Sequence, residues 1–345
     1  MSRFRLLADD LTGALDSAAA FVPRFGPIPV FWRRPGDVPV AAYDSETRET
    51  ADPAPAMRRW APYLRGSELA FKKVDSLLRG AIGTELAACV REGQFVHAIV
   101  APAFPAQGRI TSGGRQYAHG ADTGVDLAFE LELHGMKVSH CRPGDPPSPG
   151  VSLWDAIDDA DLDLIAAAGR RLAGPVLWCG TGGLAAALAG RARPPSPRLP
   201  RPILALVGSD HPATRAQFAA TPVKAMLRGV DGARALAPSL SGASVALRVD
   251  VAAGMERAAA ANEIATTFAA LAFSIPRPGT LCVSGGDTLR RLCAKLETQH
   301  LAVLGEYAPG VPISSIEGGV WDGVTLVSKS GAFGRADFLS RLFAA

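Results

Sequence analysis

Two adjacent carboxylates, Asp9 and Asp10, stand where an apolar, strand-like run over residues 4–8 hands over to a helical window over residues 14–21. The carboxyl end of a strand is where open α/β sheets bind ligands. Neighbouring acids repel one another unless a metal, a cationic group or a substrate hydroxyl faces them, so the pair points toward chemistry. The structural alternative is a helix N-cap, in which Asp, or Thr12, accepts from free backbone N–H groups. Capping accounts for one carboxylate better than for two.

A second strand-to-helix junction follows residues 69–74, where Lys72, Lys73, Asp75, Ser76 and Arg79 crowd into the sequence Asp75-Ser76-Leu77-Leu78-Arg79-Gly80. The chain has only six lysines among its 36 basic residues, so two together are informative. A guanidinium grips a carboxylate bidentately, and an ammonium serves as a compact charge on an anion. A solvated charged edge is the alternative for the lysines. A third loop, Pro102-Ala103-Phe104-Pro105-Ala106-Gln107-Gly108-Arg109, adds another cation and glycine-freed backbone, or is an ordinary structured loop. The six histidines form no HExxH and no convincing metal cluster, and no residue is assigned as a metal ligand.

In the second half, three strand ends open into small-residue loops: Gly208-Ser209-Asp210-His211, Ser284-Gly285-Gly286-Asp287-Thr288 and Lys329-Ser330-Gly331. Consecutive glycines let backbone N–H groups face an anion, and the N-terminus of a following helix adds partial positive charge. Each loop alone could equally be a turn with a cap, and Asp287 is open between cap and metal contact. Gly182-Gly183 has the same look without a charged residue and reads as structural. Neither GxxxxGK[ST] nor a strand-borne GxGxxG is present, which excludes an ordinary P-loop and a dinucleotide fingerprint.

The elements that must position these loops read as short aliphatic strands alternating with longer Ala/Leu-rich helices, the pattern of a mostly parallel sheet covered by helices. Strands are expected over 4–8, 28–32, 69–74, 96–100, 176–179, 203–207, 244–249, 280–283 and 325–328. Further helices are expected over 57–64, 84–90, 162–172, 213–219, 252–273 and 288–296. At 345 residues and 48% hydrophobic content the chain can bury two cores, and five prolines in residues 194–202 mark the boundary between them. A Pro/Gly stretch over 143–150 reads as a polar excursion or lid, or equally as a hinge.

A net charge of +3 with no basic block excludes the footprint of a nucleic-acid binder but suits a small anionic substrate. Five scattered cysteines indicate neither a disulfide framework nor a zinc knuckle, so a cytoplasmic setting is expected. The apolar stretch over residues 264–275 is too short to span a bilayer, and no targeting segment is read.

Taken in order, these blocks resemble the four-carbon acid sugar kinase family: Ala8-Asp9-Asp10-Leu11-Thr12-Gly13-Ala14, Lys72–Gly80, Pro102–Arg109, Ser284–Thr288 and Lys329-Ser330-Gly331-Ala332-Phe333-Gly334. Residues 45–48 and 306–312 look like it too, and the match runs nearly end to end. The resemblance implies two α/β domains, each a mostly parallel sheet flanked by helices, with the active site in the cleft between them. Residues 1–195 would bind the sugar acid and 196–345 the nucleotide. It implies ATP and Mg²⁺ as cofactors and phosphate delivery to the terminal hydroxyl of a tetronate, whether threonate, erythronate or 3-oxo-tetronate type.

On that reading Arg79 and Arg109 hold the substrate carboxylate, with Lys72 and Lys73 alongside. Asp9, Asp10, Asp75 and Ser76 face its hydroxyls, and Asp9 or Asp10 orients or deprotonates the acceptor. Ser209, Gly285, Gly286, Asp287, Thr288, Lys329 and Gly331 would meet the nucleotide. The chain departs from the family at Asp210-His211, where a small Gly-Ser-Cys-Ser-like loop is usual, and is shorter between Ala219 and Ser244. Asp210 would hold magnesium or repel phosphate, and a sensor that has lost phosphoryl transfer is the alternative from another class. A kinase for another hydroxy acid is the second alternative. A homo-oligomer is compatible with the sequence.

Overall fold

Phe4–Ala8 is buried at every position and forms the central strand β1 of an all-parallel sheet, as expected of a strand covered on both faces. A computed structural model describes residues 3–36, 38–191, 198–240 and 242–344. The chain divides into two compact units, Met1–Arg193 and Pro194–Ala345; residues 194–197 of the proline run lie outside the described residues.

In the first unit, β1 leads into α1 (Leu11–Phe25), β2 (Ile28–Phe31), β3 (Val40–Asp44), α2 (Ala54–Trp60), β4 (Leu69–Lys73), α3 (Ile82–Gly93) and β5 (His97–Ala101). A polar excursion of β6 (Arg109–Ser112), β7 (Arg115–Ala118) and β8 (Ala121–Asp126) follows, then α4 (Leu127–Leu133). The unit closes with β9 (Val138–Cys141), β10 (Gly150–Trp154), α5 (Asp159–Gly169), β11 (Val176–Gly180) and α6 (Gly182–Ala189). The main sheet runs β2-β3-β1-β4-β11-β5-β10-β9, every pair parallel, and β6-β7-β8 form a separate antiparallel sheet. From β1 the chain pairs with β3 on one side and β4 on the other. The end of β1, where Asp9 and Asp10 sit, is therefore the switch point at which such sheets open a crevice.

The second unit comprises β12 (Ile203–Val207), α7 (Pro212–Ala219), β13 (Lys224–Leu227), α8 (Gly229–Leu236), β14 (Val245–Val249) and α9 (Arg257–Ala272). It ends with β15 (Thr280–Ser284), α10 (Gly286–Lys295), β16 (His300–Ala308), β17 (Val311–Glu317), β18 (Thr325–Lys329) and α11 (Phe338–Ala344). Its order is β13-β14-β12-β15-β18-β17-β16, parallel through β18 and antiparallel beyond. The carboxyl ends of β12, β15 and β18 therefore bring all three small-residue loops to one edge.

Most expected elements form, with shifts that have local causes. The helix expected from residue 252 starts at Arg257, because Glu256 caps it through Ala258 and Ala259 N–H and Gly254 ahead of it takes φ +79°. The hinge reading of residues 143–150 is corrected: the flanking β9 and β10 pair in one sheet, so this stretch links neighbours. Strands β3, β6 to β10, β13 and the β16–β17 hairpin were not anticipated.

Candidate active site

Three loops at the carboxyl edge of the first sheet converge on a residue the charge pattern did not single out, Arg48. It follows β3 through a loop that Ser45 pins back, its hydroxyl donating to Ala8 O at 2.8 Å. The Arg48 guanidinium donates to both oxygens of Asp9, with Nη2 to Oδ1 at 2.7 Å, and to Asp10 Oδ1 at 2.9 Å; its Nη1 lies 3.2 Å from Asp75 Oδ1. Arg79 then grips Asp75 bidentately, at 2.7 and 2.9 Å. Desolvation would lower the Arg48 pKa, but Asp9, Asp10 and Asp75 outweigh it and hold the guanidinium charged.

The two N-terminal aspartates separate in role. Asp9 is buried with both oxygens on Arg48; burial pushes its carboxyl up, and Arg48, Lys72 and Lys73 together pull it below the ordinary value. Asp10 does cap α1, accepting from Gly13 N–H at 3.0 Å, but its side chain stays 30% exposed and both its bonds fall on Oδ1. Burial of its surroundings raises the Asp10 carboxyl, and the charge of Asp9 adds to that, against the pull of Arg48. Gly13 must be glycine here: a Cβ would come within 2.6 Å of Asp10 Oδ1 and 3.3 Å of Lys73 Nζ.

Lys72 is corrected from a substrate contact to an internal support. It is fully buried, its Nζ 2.6 Å from Glu85 Oε2 on α3, and its charge acts on Asp9 from below. Lys73 Nζ donates to Val74 O at 2.7 Å and has no carboxylate at ion-pair distance among the described residues. Asp44, also not anticipated, is fully buried at the end of β3 with Oδ1 accepting from Glu46 N–H at 2.8 Å and Oδ2 unpartnered. Burial, reinforced by Asp10, holds its carboxyl well above the usual range.

Arg109 is the cation left open. Its Nη1 donates to Gln107 O at 2.7 Å, its buried Nε has no partner, and no carboxylate lies within ion-pair distance among the described residues. Burial lowers its pKa while Asp75 partly restores it. A buried guanidinium without a counter-charge is costly, and an arriving carboxylate removes that cost. Ser76, half-buried, sits on the same loop as Asp75.

In the second unit the small-residue loops are packed into one another. A Cβ at Gly208 would strike Thr288 Oγ1 at 2.0 Å, and one at Gly331 would strike Ser209 Oγ at 2.1 Å. Part of the backbone in these loops is already engaged: Gly208 and Ser209 N–H both donate to Ser284 O, and Gly285 N–H donates to Lys329 O. The residue held at positive φ is Gly285, at +114°, whereas Gly286 opens α10. Asp287 neither caps that helix nor stands free; it pairs with Arg291 at 2.9 Å and Arg290 at 3.1 Å on its own helix.

Asp210 is likewise engaged, by Arg248 at 2.6 Å, so its charge is compensated, while His211 Nδ1 caps α7 through Ala213 N–H. Lys329 is buried, its Nζ on Thr214 Oγ1 at 3.1 Å and Ser330 O at 3.0 Å, with no carboxylate in reach among the described residues. Desolvation lowers its pKa to about 8. That ammonium and the first-turn amides of α10 fit a phosphate chain. No group of three or more His, Cys, Asp or Glu gathers as a metal site among the described residues.

An acid cluster clamped by arginine at a switch point and a buried lysine beside a helix N-terminus define a two-unit α/β protein built for anions. The family model described as the sugar-binding N-terminal domain matches residues 4–143, and that of the nucleotide-binding C-terminal domain matches 234–339. A D-threonate kinase from Bordetella bronchiseptica is 29% identical over 97% of this chain and 95% of its own. One from Cupriavidus necator is 31% identical over 95% and 94%. A solved structure described as a putative tRNA synthase from Salmonella typhimurium, 18% identical with a TM-score of 0.75 over 99% of each chain, shares the fold alone. The chain belongs to the four-carbon acid sugar kinase family.

Proposed function

We propose that this chain is an ATP-dependent kinase of a four-carbon sugar acid of the threonate type, delivering phosphate to the terminal hydroxyl. The observation that carries the reading is Arg109, a buried guanidinium with no carboxylate partner among the described residues, next to the Asp9–Asp10–Asp75–Arg48 cluster. The substrate carboxylate would meet Arg109, with Arg79 and Lys73 alongside, and its hydroxyls Asp75 and Ser76.

Asp10 is the base. Its Oδ2 makes no bond to Gly13 or Arg48, and its raised pKa makes it a better proton acceptor than an ordinary Asp. Asp9, with both oxygens on Arg48, instead fixes that guanidinium. As Asp10 takes the hydroxyl proton, the oxygen bonds to the γ-phosphorus and ADP leaves; alignment and charge neutralisation supply most of the rate. Lys329 and the first turn of α10 would hold the phosphates. Mg²⁺ would arrive on the nucleotide, since Asp210 and Asp287 are both taken by arginines.

Five free, buried cysteines fit a reducing, cytoplasmic setting, and among the described residues no helix is long and apolar enough to cross a membrane. The sensor alternative is not favoured, because the curated relatives are named as kinases and Asp210 is paired rather than left to repel phosphate. The test is ADP release with a panel of D- and L-threonate, erythronate and 3-oxo-tetronates. Turnover with one of these acids and ATP is expected; binding of a tetronate without turnover would support the sensor, and turnover only with another hydroxy acid would move the substrate class.

A further inference from the structure

The β6-β7-β8 sheet is an excursion from the main fold, and one of its side chains reaches back into the anion-binding loops. Gln116, in the middle strand β7, is 1% exposed. Its Nε2 donates to Ser76 O at 3.1 Å and to Pro102 O at 3.4 Å, while its Oε1 accepts from Thr111 Oγ1 at 2.9 Å. Ser76 lies on the loop of Asp75 and Arg79, and Pro102 opens the loop that ends in Arg109. One buried amide thus fastens both loops to each other.

The sheet that carries Gln116 is itself anchored. Asp155, just past β10, accepts from Gly113 and Gly114 N–H at 2.7 and 2.9 Å, gripping the β6–β7 turn. Thr111 and Ala156 exchange backbone hydrogen bonds at 2.9 Å each. Thr123 Oγ1 donates to Gln116 O at 2.9 Å, which ties β8 to the same residue.

We propose that Gln116 is a positioning residue for the sugar acid: by clamping the Ser76 and Pro102 carbonyls it sets the spacing between Arg79 and Arg109 on which carboxylate recognition depends. This rests on the kinase reading above. A carboxamide suits the place because it alone supplies two donors and an acceptor in one plane. Apolar replacement leaves two carbonyls and a hydroxyl without partners and lets the loops drift, and a shift of about 1 Å at this distance from the chemistry costs on the order of 10²-fold.

The test uses Gln116→Met and Gln116→Glu in the full chain, with thermal unfolding, KM for both substrates and kcat. For Gln116→Met, kcat/KM for the sugar acid should fall roughly 10²-fold while KM for ATP stays within about twofold. A glutamate donates to a carbonyl only when protonated, and burial raises its pKa, so Gln116→Glu should regain sugar-acid turnover, relative to wild type, as pH falls from about 8 to 6. Wild-type kcat/KM in folded Gln116→Met, or in folded Gln116→Glu at about pH 8, overturns the inference, as does an ATP KM that rises in step. If Gln116→Met does not fold, the pH profile of Gln116→Glu decides, and a profile parallel to wild type overturns it. Absence of tetronate-dependent turnover in the wild type would instead overturn the kinase reading, and this inference with it.

Discussion

Asp10 caps α1 through Oδ1, and the proposed mechanism makes its other oxygen the base. Asn caps a helix as well as Asp, so Asp10→Asn should keep the bond from Gly13 N–H and leave the melting temperature nearly unchanged. It cannot accept the hydroxyl proton, so kcat should fall ~10²–10⁴-fold. Stopped assays beside a melting curve check this, and kcat within a few-fold of wild type would leave Asp10 as a cap only.

Asp44 gives a second prediction at this scale, about pH and stability. Its folded-state carboxyl titrates above the unfolded value of 3.8, so the wild type is stabilised below that pH and loses the contribution as pH rises through the folded value. Asp44→Asn keeps an acceptor for Glu46 N–H without an ionisable group. Its melting temperature should gain on wild type as pH rises from about 4 to 8, and a difference that does not change with pH would contradict the assignment.

Among the elements, strands with dense aliphatic runs such as β1, β12 and β15 were legible, and so were the loops that follow them. β3 was not: Val40–Asp44 carries two alanines and ends in an acid, which resembles no strand template. Missing β3 hid the loop after it, and so Arg48 was visible only within a stretch of family likeness and Asp44 was not visible at all. The β6–β8 excursion escaped for a related reason, since its polar, glycine-broken strands match no amphipathic period. Lys72 and Lys73 were read alike from sequence, yet neighbours on a strand point to opposite faces, and only the face against Glu85 buries its lysine in an ion pair.

The β18–α10 edge supplies a third prediction. Lys329 titrates near 8, so it is charged below that pH and neutral above it. KM for ATP should therefore rise about tenfold between pH 7 and 9 as the fraction of ammonium falls. In Lys329→Met it should be high throughout and flat across the same range. A wild-type ATP KM without pH dependence would remove Lys329 from the phosphate site.

At the scale of the whole molecule, each unit has its own buried cluster, one built around Leu7, Tyr43 and Trp60 and the other around Ile203, Val327 and Leu339. A change to a polar side chain in one unit should therefore leave the other folded, and distant sites contribute independently. The family likeness was legible in both halves because its blocks fall at strand ends, where chemistry constrains residue type. The central claim is that the acid is held by the first unit and the nucleotide by the second. Isothermal titration of Arg109→Ala and Lys329→Met, each with D-threonate and with ATP, tests it most directly. Arg109→Ala should lose at least tenfold in threonate affinity with ATP affinity kept, since it removes a charge-assisted pair to a buried carboxylate, and Lys329→Met should do the reverse. Arg109→Ala that keeps threonate and loses ATP would contradict the account.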